Sequence, residues 1–199
     1  MDLVEHLKST GVLKTPEIIA AFAKTDRGNF VREEFAKNSY GDFPLPIGFD
    51  QTISQPTTVA FMLGLLAPKS NDRILDLGSG SGWTTALLAQ IVGLEGSIIG
   101  VEQIPELVKF SQDNLKKYDF SNTKIVKAGK KLGLESESPF DKILVSASAD
   151  KLPRTLIDQL KTGGRLVIPI QNSIFKIDKT KSDTIKSAEF PGFAFVPLR

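Results

Sequence analysis

The stretch "DRILDLGSGSGWTTALLAQIV", residues 72–92, most constrains what this chain can fold into. A short apolar run enters three glycines, and an apolar helix pattern leaves them. The alternation then continues without the glycines. "GSIIGVE" reads as a buried strand, "PELVKFSQDNLKKY" as a helix with one apolar face, and "TKIVKAG" as a strand. "FDKILVSAS" is a further strand, "PRTLIDQLK" a helix ending at Gly163-Gly164, and "RLVIPI" a fifth strand. Strands alternating with helices predict an α/β fold: a Rossmann-like, doubly wound, mostly parallel sheet with helices on both faces. After Ile170 the pattern becomes strand on strand, "SIFKIDK" and "TIKSAEF", which predicts antiparallel C-terminal strands. Upstream, Thr15-Pro16-Glu17 signals a helix start with a hydroxyl cap, and "TTVAFMLGLL" reads as a helix ended by Pro68.

In an open parallel sheet, ligands sit beyond the carboxyl ends of the strands, at the switch point. Gly78, Gly80 and Gly82 occupy that turn, where missing side chains let a ligand lie against the backbone. Glu102 ends the next strand, where a carboxylate can accept hydrogen bonds from both hydroxyls of an adenosine ribose. A phosphate-binding P-loop needs a lysine after the last glycine, and none follows Gly82. A dinucleotide site prefers G-x-G-x-x-G, whereas the spacing here is G-x-G-x-G with the bulky Trp83 next. A ligand without pyrophosphate fits better, and S-adenosylmethionine is the common one. Taken alone the glycines are also compatible with a tight structural turn. The strand, the helix and Glu102 together select the cofactor reading.

Composition narrows the rest. With 25 basic and 23 acidic residues the formal charge is +2, which argues against strong electrostatic binding of nucleic acid or membrane. The chain has no cysteine, so disulfides, thiolate metal sites and cysteine nucleophiles are excluded, and no metal site is expected. The start lacks a signal-peptide pattern, and no apolar run is long enough to span a bilayer. A cytoplasmic monomer of one domain is expected over 1–199. Its parts would be an N-terminal helical and lid region to 67, a cofactor-binding core over 68–170, and a C-terminal hairpin with a closing strand over 171–199.

The stretch "PLPIGFDQTISQP" has the wrong grammar for a solvated loop. It combines three prolines with Leu45, Ile47, Phe49 and Ile53, and shows no helix or strand period. Together with "ILDLGSGSGW", "FDKILVSAS", "QLKTGGRLVIPI" and the terminal "FVPL", it resembles the protein-L-isoaspartate O-methyltransferases over nearly the whole chain. The resemblance implies S-adenosylmethionine as cofactor and isoaspartyl-containing proteins and peptides as substrates. It implies that the proline-rich segment lies over the cofactor, with Ser54 in the active site and Asp50, Gln51 and Thr52 near the cofactor. Gly78, Ser79, Gly80 and Gly82 would hold the methionine portion, Glu102 the ribose, Gly129 and Lys130 would lie at the adenine, and Gln103 would also contact the cofactor. Two positions depart from the family pattern. Lys130 stands in "AGKKLG" where an acid is usual, and Gln171 follows the "VIP" strand where glycine is common.

The implied reaction methylates a carboxylate that is already ionised at neutral pH, its reference pKa lying near 4. No general base is then required, and the one histidine, His6, lies outside every motif. Plainer roles remain open for the same residues. Ser54 could cap the helix after Pro56, Asp50 could satisfy loop amides, and Trp83 could pack at a helix start. Lys130 and Lys131 read as solvated charges, the lysine-rich "KIDKTKSDTIK" as a guarded sheet edge, and "FAFVPL" as mostly core strand, although the resemblance implies that this region helps frame the peptide site. Rival functions are a binding protein without turnover, and a methyltransferase for a small molecule or RNA.

Overall fold

The computed structural model describes residues 2–182 and 184–198. Six α-helices occur among them: α1 (Leu3–Ser9), α2 (Pro16–Lys24), α3 (Pro56–Leu66), α4 (Trp83–Val92), α5 (Pro105–Leu115) and α6 (Arg154–Asp158). Proline opens α2, α3 and α5, where its missing N–H costs no hydrogen bond and its fixed φ suits a helix. Thr15 is the N-cap of α2, but its hydroxyl makes no capping hydrogen bond.

The main sheet has the order β5-β4-β3-β6-β7-β8-β9. Its strands are β3 (Arg73–Leu77), β4 (Ser97–Glu102), β5 (Thr123–Lys127), β6 (Phe140–Val145), β7 (Leu160–Ile170), β8 (Ser173–Lys179) and β9 (Ile185–Pro191). The strands from β5 to β7 pair in parallel, and β8 and β9 join antiparallel. Alternate residues feed two separate cores, as the two-residue strand period requires. Ile74, Ile98 and Leu144 enter the core under α1–α5, while Leu75, Ile99 and Ile143 enter the core that α6 covers with Leu156 and Ile157. Each such buried aliphatic side chain contributes about 1.5–3 kcal/mol relative to exposure. No helix among the described residues is long and apolar enough to cross a membrane.

Three local expectations are corrected. The helix read over "PRTLIDQLK" ends at Asp158, because Leu160 already pairs with Phe140 and starts an eleven-residue β7. The pairing register then shifts before Lys142 meets Arg165, so Gly163, with φ +84°, lies within β7 instead of ending a helix. The C-terminal run does not form a closing strand. It makes a single bridge, in which Ser148 N–H donates to Val196 O and Leu198 N–H to Ser148 O. Pro197 between them has no N–H with which to extend a ladder.

The proline-rich stretch, where no strand period was visible, folds as a hairpin of β1 (Leu45–Gly48) and β2 (Gln51–Ile53). Its turn runs through Gly48, Phe49 and Asp50 at φ +92°, +55° and +57°.

The C-cap of α3, Ala67, also takes the left-handed conformation, with φ 49° and ψ 59°, while its N–H donates to Leu63 O. A β-carbon is unfavourable there, and glycine would remove the strain at some cost in unfolded-chain entropy. Ala67→Gly is expected to raise stability by about 0.5–1 kcal/mol. Urea unfolding should show a higher midpoint with an unchanged slope.

Candidate active site

β3 lies between β4 and β6, and the chain leaves its carboxyl end toward β4 on one side while β6 ends on the other. The divergence opens a cavity of about 380 Å³ at this switch point. The glycine turn forms its floor: Gly78 and Ser79 N–H groups both donate to Val101 O, which ties the turn to the end of β4. Glu102, 6% exposed, is held by two main-chain donors. Gly80 N–H reaches Oε2 at 3.0 Å and Ile104 N–H reaches Oε1 at 2.9 Å. A carboxylate has about four acceptor positions, so this one is oriented without being saturated.

The β1–β2 hairpin supplies the opposite wall. Buried Ile47 packs over the turn so closely that a β-carbon on Gly80 would meet its Cδ1 at 3.2 Å. Gly80 itself has φ +52°. Gln51, Thr52 and Ser54 also line the cavity, as do Gln103, Gly129 and Lys130 at the β4 and β5 ends. Ser146, Ala147, Leu132 and the terminal Val196 to Leu198 complete the wall; they lie in stretches quoted from the sequence but carried no assigned site role. For Ser146 and Ala147 the signals were their place in "FDKILVSAS" and their position directly after β6, at a strand's carboxyl end.

Of the residues named from the sequence, ten line the cavity: Gln51, Thr52, Ser54, Gly78, Ser79, Gly80, Glu102, Gln103, Gly129 and Lys130. Asp50 and Gly82 do not. Asp50 is exposed at the hairpin tip, displaced outward by the turn. Gly82, at φ +87°, is the N-cap of α4 and faces α5, where a β-carbon would lie 3.1 Å from that of Ser111. Its glycine serves the approach of two helices.

The capping role open to Ser54 is filled elsewhere. Asp42 accepts from Thr57 N at 2.8 Å and from Thr57 Oγ1 at 2.7 Å, securing the start of α3. The N-cap position itself is Gln55, without a side-chain capping bond. His6 pairs with Asp42 at 3.6 Å, away from the cavity lining. Trp83 is 2% exposed and packs edge-on to Phe22, as a packing residue would, yet part of it also lines the cavity.

Two buried polar atoms on the wall, Ser79 Oγ and Trp83 Nε1, lack partners within the protein. Such groups cost free energy unless a ligand or water meets them. With the exposed glycine backbone and the oriented Glu102, they fit a nucleoside-bearing ligand that carries hydroxyls and polar amino-acid atoms.

These features define a class: an α/β protein with a nucleoside site at the switch point of a parallel sheet, roofed by a hairpin. The comparisons resolve the class to a family. The chain belongs to the protein-L-isoaspartate(D-aspartate) O-methyltransferase family, whose model matches residues 1–199. A Methanopyrus kandleri protein-L-isoaspartate O-methyltransferase is 42% identical, the match covering 98% of this chain and 89% of the relative. The Pyrococcus horikoshii enzyme of the same name is 38% identical, over 98% and 90% respectively. Among solved structures, a putative Plasmodium falciparum enzyme of this family, in complex with S-adenosyl-L-homocysteine, superposes with a TM-score of 0.88. It is 31% identical, and the match covers 99% of this chain and 96% of that one.

Beneath the turn sits Asp76, fully buried, with Oδ2 accepting from Thr85 Oγ1 at 2.6 Å and Oδ1 without a partner. Burial, with the nearby Glu102 charge adding to it, pushes its pKa from 3.8 up to about 6. The folded state therefore holds this proton more tightly than the unfolded chain. Its stabilising contribution is complete below pH 3.8 and is lost as pH rises through 6. Asp76→Asn removes that dependence. Relative to wild type, the variant should gain about 2.5 kcal/mol between pH 4 and pH 8. Urea titrations at both pH values measure this change, and a constant difference would refute the assignment.

Proposed function

We infer that the chain transfers a methyl group from S-adenosyl-L-methionine to the free carboxylate of an L-isoaspartyl residue in damaged polypeptides. One observation carries the reading beyond family membership: a single cavity joins the glycine turn and Glu102 to Ser54 on the hairpin wall. When bound, S-adenosylmethionine supplies an electrophilic methyl group on a cationic sulfur. The buried carboxylate of Glu102 is oriented to accept from ribose hydroxyls, and Ser79 and the bare turn face the amino-acid portion.

Ser54 lies at the acceptor end in this reading. Its neutral hydroxyl can donate a hydrogen bond to an incoming carboxylate without neutralising it, which leaves the nucleophile intact. No proton must be removed from the nucleophile, so the enzyme's contribution is alignment and exclusion of water. The lid built from Ile47 and Ile53 serves both ends. The methyl ester then closes to a succinimide, whose hydrolysis returns some normal aspartate.

Ser54→Ala tests the reading. Loss of one hydrogen bond to a charged group corresponds to about 1.5–3 kcal/mol, or about 10–100-fold in methyl transfer to an isoaspartyl peptide. Binding of S-adenosylhomocysteine and the melting temperature should stay near wild type. Unchanged turnover would remove Ser54 from the site.

Lys130, exposed at the far end of the cavity, gives a second test. An acid there could accept from the adenine amino group, so Lys130→Asp should tighten S-adenosylhomocysteine binding by about 1 kcal/mol. Calorimetry showing equal or weaker affinity would place the adenine away from residue 130.

A further inference from the structure

Arg27 belongs to no motif read from the sequence and does not line the cavity, yet only 1% of it is exposed. It starts the short 3-10 turn Arg27–Phe30. Nη1 donates to Ser39 O at 2.7 Å and to Gly41 O at 3.2 Å. Nη2 donates to Phe43 O at 3.0 Å and to Ser54 O at 3.2 Å. These four bonds match the four hydrogens on the two terminal nitrogens, so neither has a donor left for a ligand. The guanidinium also lies over the Trp83 ring, with its carbon 5.3 Å from the centroid.

Among the described residues no ion pair with a carboxylate offsets the burial of this charge; Asp42 acts on it only through space. Desolvation lowers its pKa to about 10, so the group remains charged at neutral pH. A buried cation held by neutral carbonyls is a costly way to staple a loop. The position of the carbonyls shows what the arrangement achieves. Phe43 lies just before β1 and Ser54 just after β2, so one planar fork closes the base of the lid hairpin. The upper part is tied separately, by Arg32 Nε donating to Ile47 O at 2.6 Å.

We propose that Arg27 is a positioning residue for methyl transfer: its guanidinium fixes the main chain at Ser54, and thereby the hydroxyl that meets the substrate carboxylate. The proposal rests on the reading of Ser54 given above. Because its terminal donors are spent on the main chain, Arg27 acts on the alignment of the acceptor and touches the rest of the cavity wall only through the Trp83 ring. Misplacement by about 1 Å at a reacting centre costs on the order of 100-fold in rate.

Two variants test this. Arg27→Lys keeps the charge but cannot span four carbonyls, and Arg27→Gln also removes the charge. Steady-state methyl transfer to an isoaspartyl peptide is measured beside S-adenosylhomocysteine binding, the latter followed through the fluorescence of Trp83, the chain's one tryptophan. The expected result is a kcat lowered about 10–100-fold in Arg27→Lys and further in Arg27→Gln. Binding should remain at one ligand per chain, with Kd within about twofold of wild type. Wild-type turnover per binding site in Arg27→Lys would overturn the proposal, even with a lower melting temperature, because a purely structural staple behaves that way. Failure of both variants to bind S-adenosylhomocysteine would overturn it as well, making Arg27 a residue of the whole fold. Ser54→Ala run in parallel separates the two readings: full turnover in that variant removes the Ser54 assignment itself.

Discussion

The pairing of β3 with β4 on one side and β6 on the other is the constraint from which the site follows. Leu77 is level with Val101 and Val145, so three strands end together. Their last backbone groups must be satisfied at that edge. Leu77 O accepts from Ser146 N, and Val101 O accepts from both Gly78 and Ser79. One donor of the turn, Gly80 N–H, is left for a side chain, and Glu102 meets it. The carboxylate is thus placed by unfinished sheet hydrogen bonding, and its remaining acceptor positions are free for a ligand. The hairpin closes this tightly because Gly80 places no side chain beneath Ile47.

Charge is distributed along this site with a direction. Asp76 and Glu102 are both buried beside the glycine turn, which makes that end unfavourable for phosphate and favourable for a cationic ligand. Arg27 lies behind Ser54 and against Trp83, on the side that the proposed function gives to the acceptor. A sulfonium donor and a carboxylate acceptor would each meet surroundings of opposite sign. The transfer cancels both charges, so tight ion pairing of either reactant would favour the ground state over the transition state. With Ser54 proposed to meet the acceptor, an arginine whose terminal donors all point to the main chain avoids that penalty there.

How much of this the sequence disclosed depended on range. β3, β4 and the glycine turn were legible because their signals are local: an apolar run, special backbone positions, and an acid at the next strand's end. The hairpin was not legible, since Pro44 and Pro46 interrupt β-branched alternation across strands of only four and three residues. The early start of β7 was hidden because Leu156, Ile157 and Leu160 have helical spacing; tertiary pairing with Phe140 overrides it. The roles of Arg27 and Asp42 depend on partners 12–27 residues away, which no local pattern marks. Asp50 and Gly82 were read from the motifs they belong to, but a motif does not say which way each member faces.

The first turn of α4 is where these separate demands converge. Gly82 lets α4 approach α5, Trp83 carries the Arg27 cation on its face, and Thr85 donates to Asp76. Three nearly successive residues thus anchor a helix contact, a buried cation and a buried acid. Both charges are shifted by desolvation toward their neutral forms, Arg27 down to about 10 and Asp76 up to about 6. Each is a stability cost that a core built only for folding would replace with apolar side chains. Their placement directly behind residues that line one cavity fits a fold that gives up stability for alignment. It also explains why so little conventional acid–base machinery is needed: the reacting groups arrive charged, and the protein has only to hold them in line.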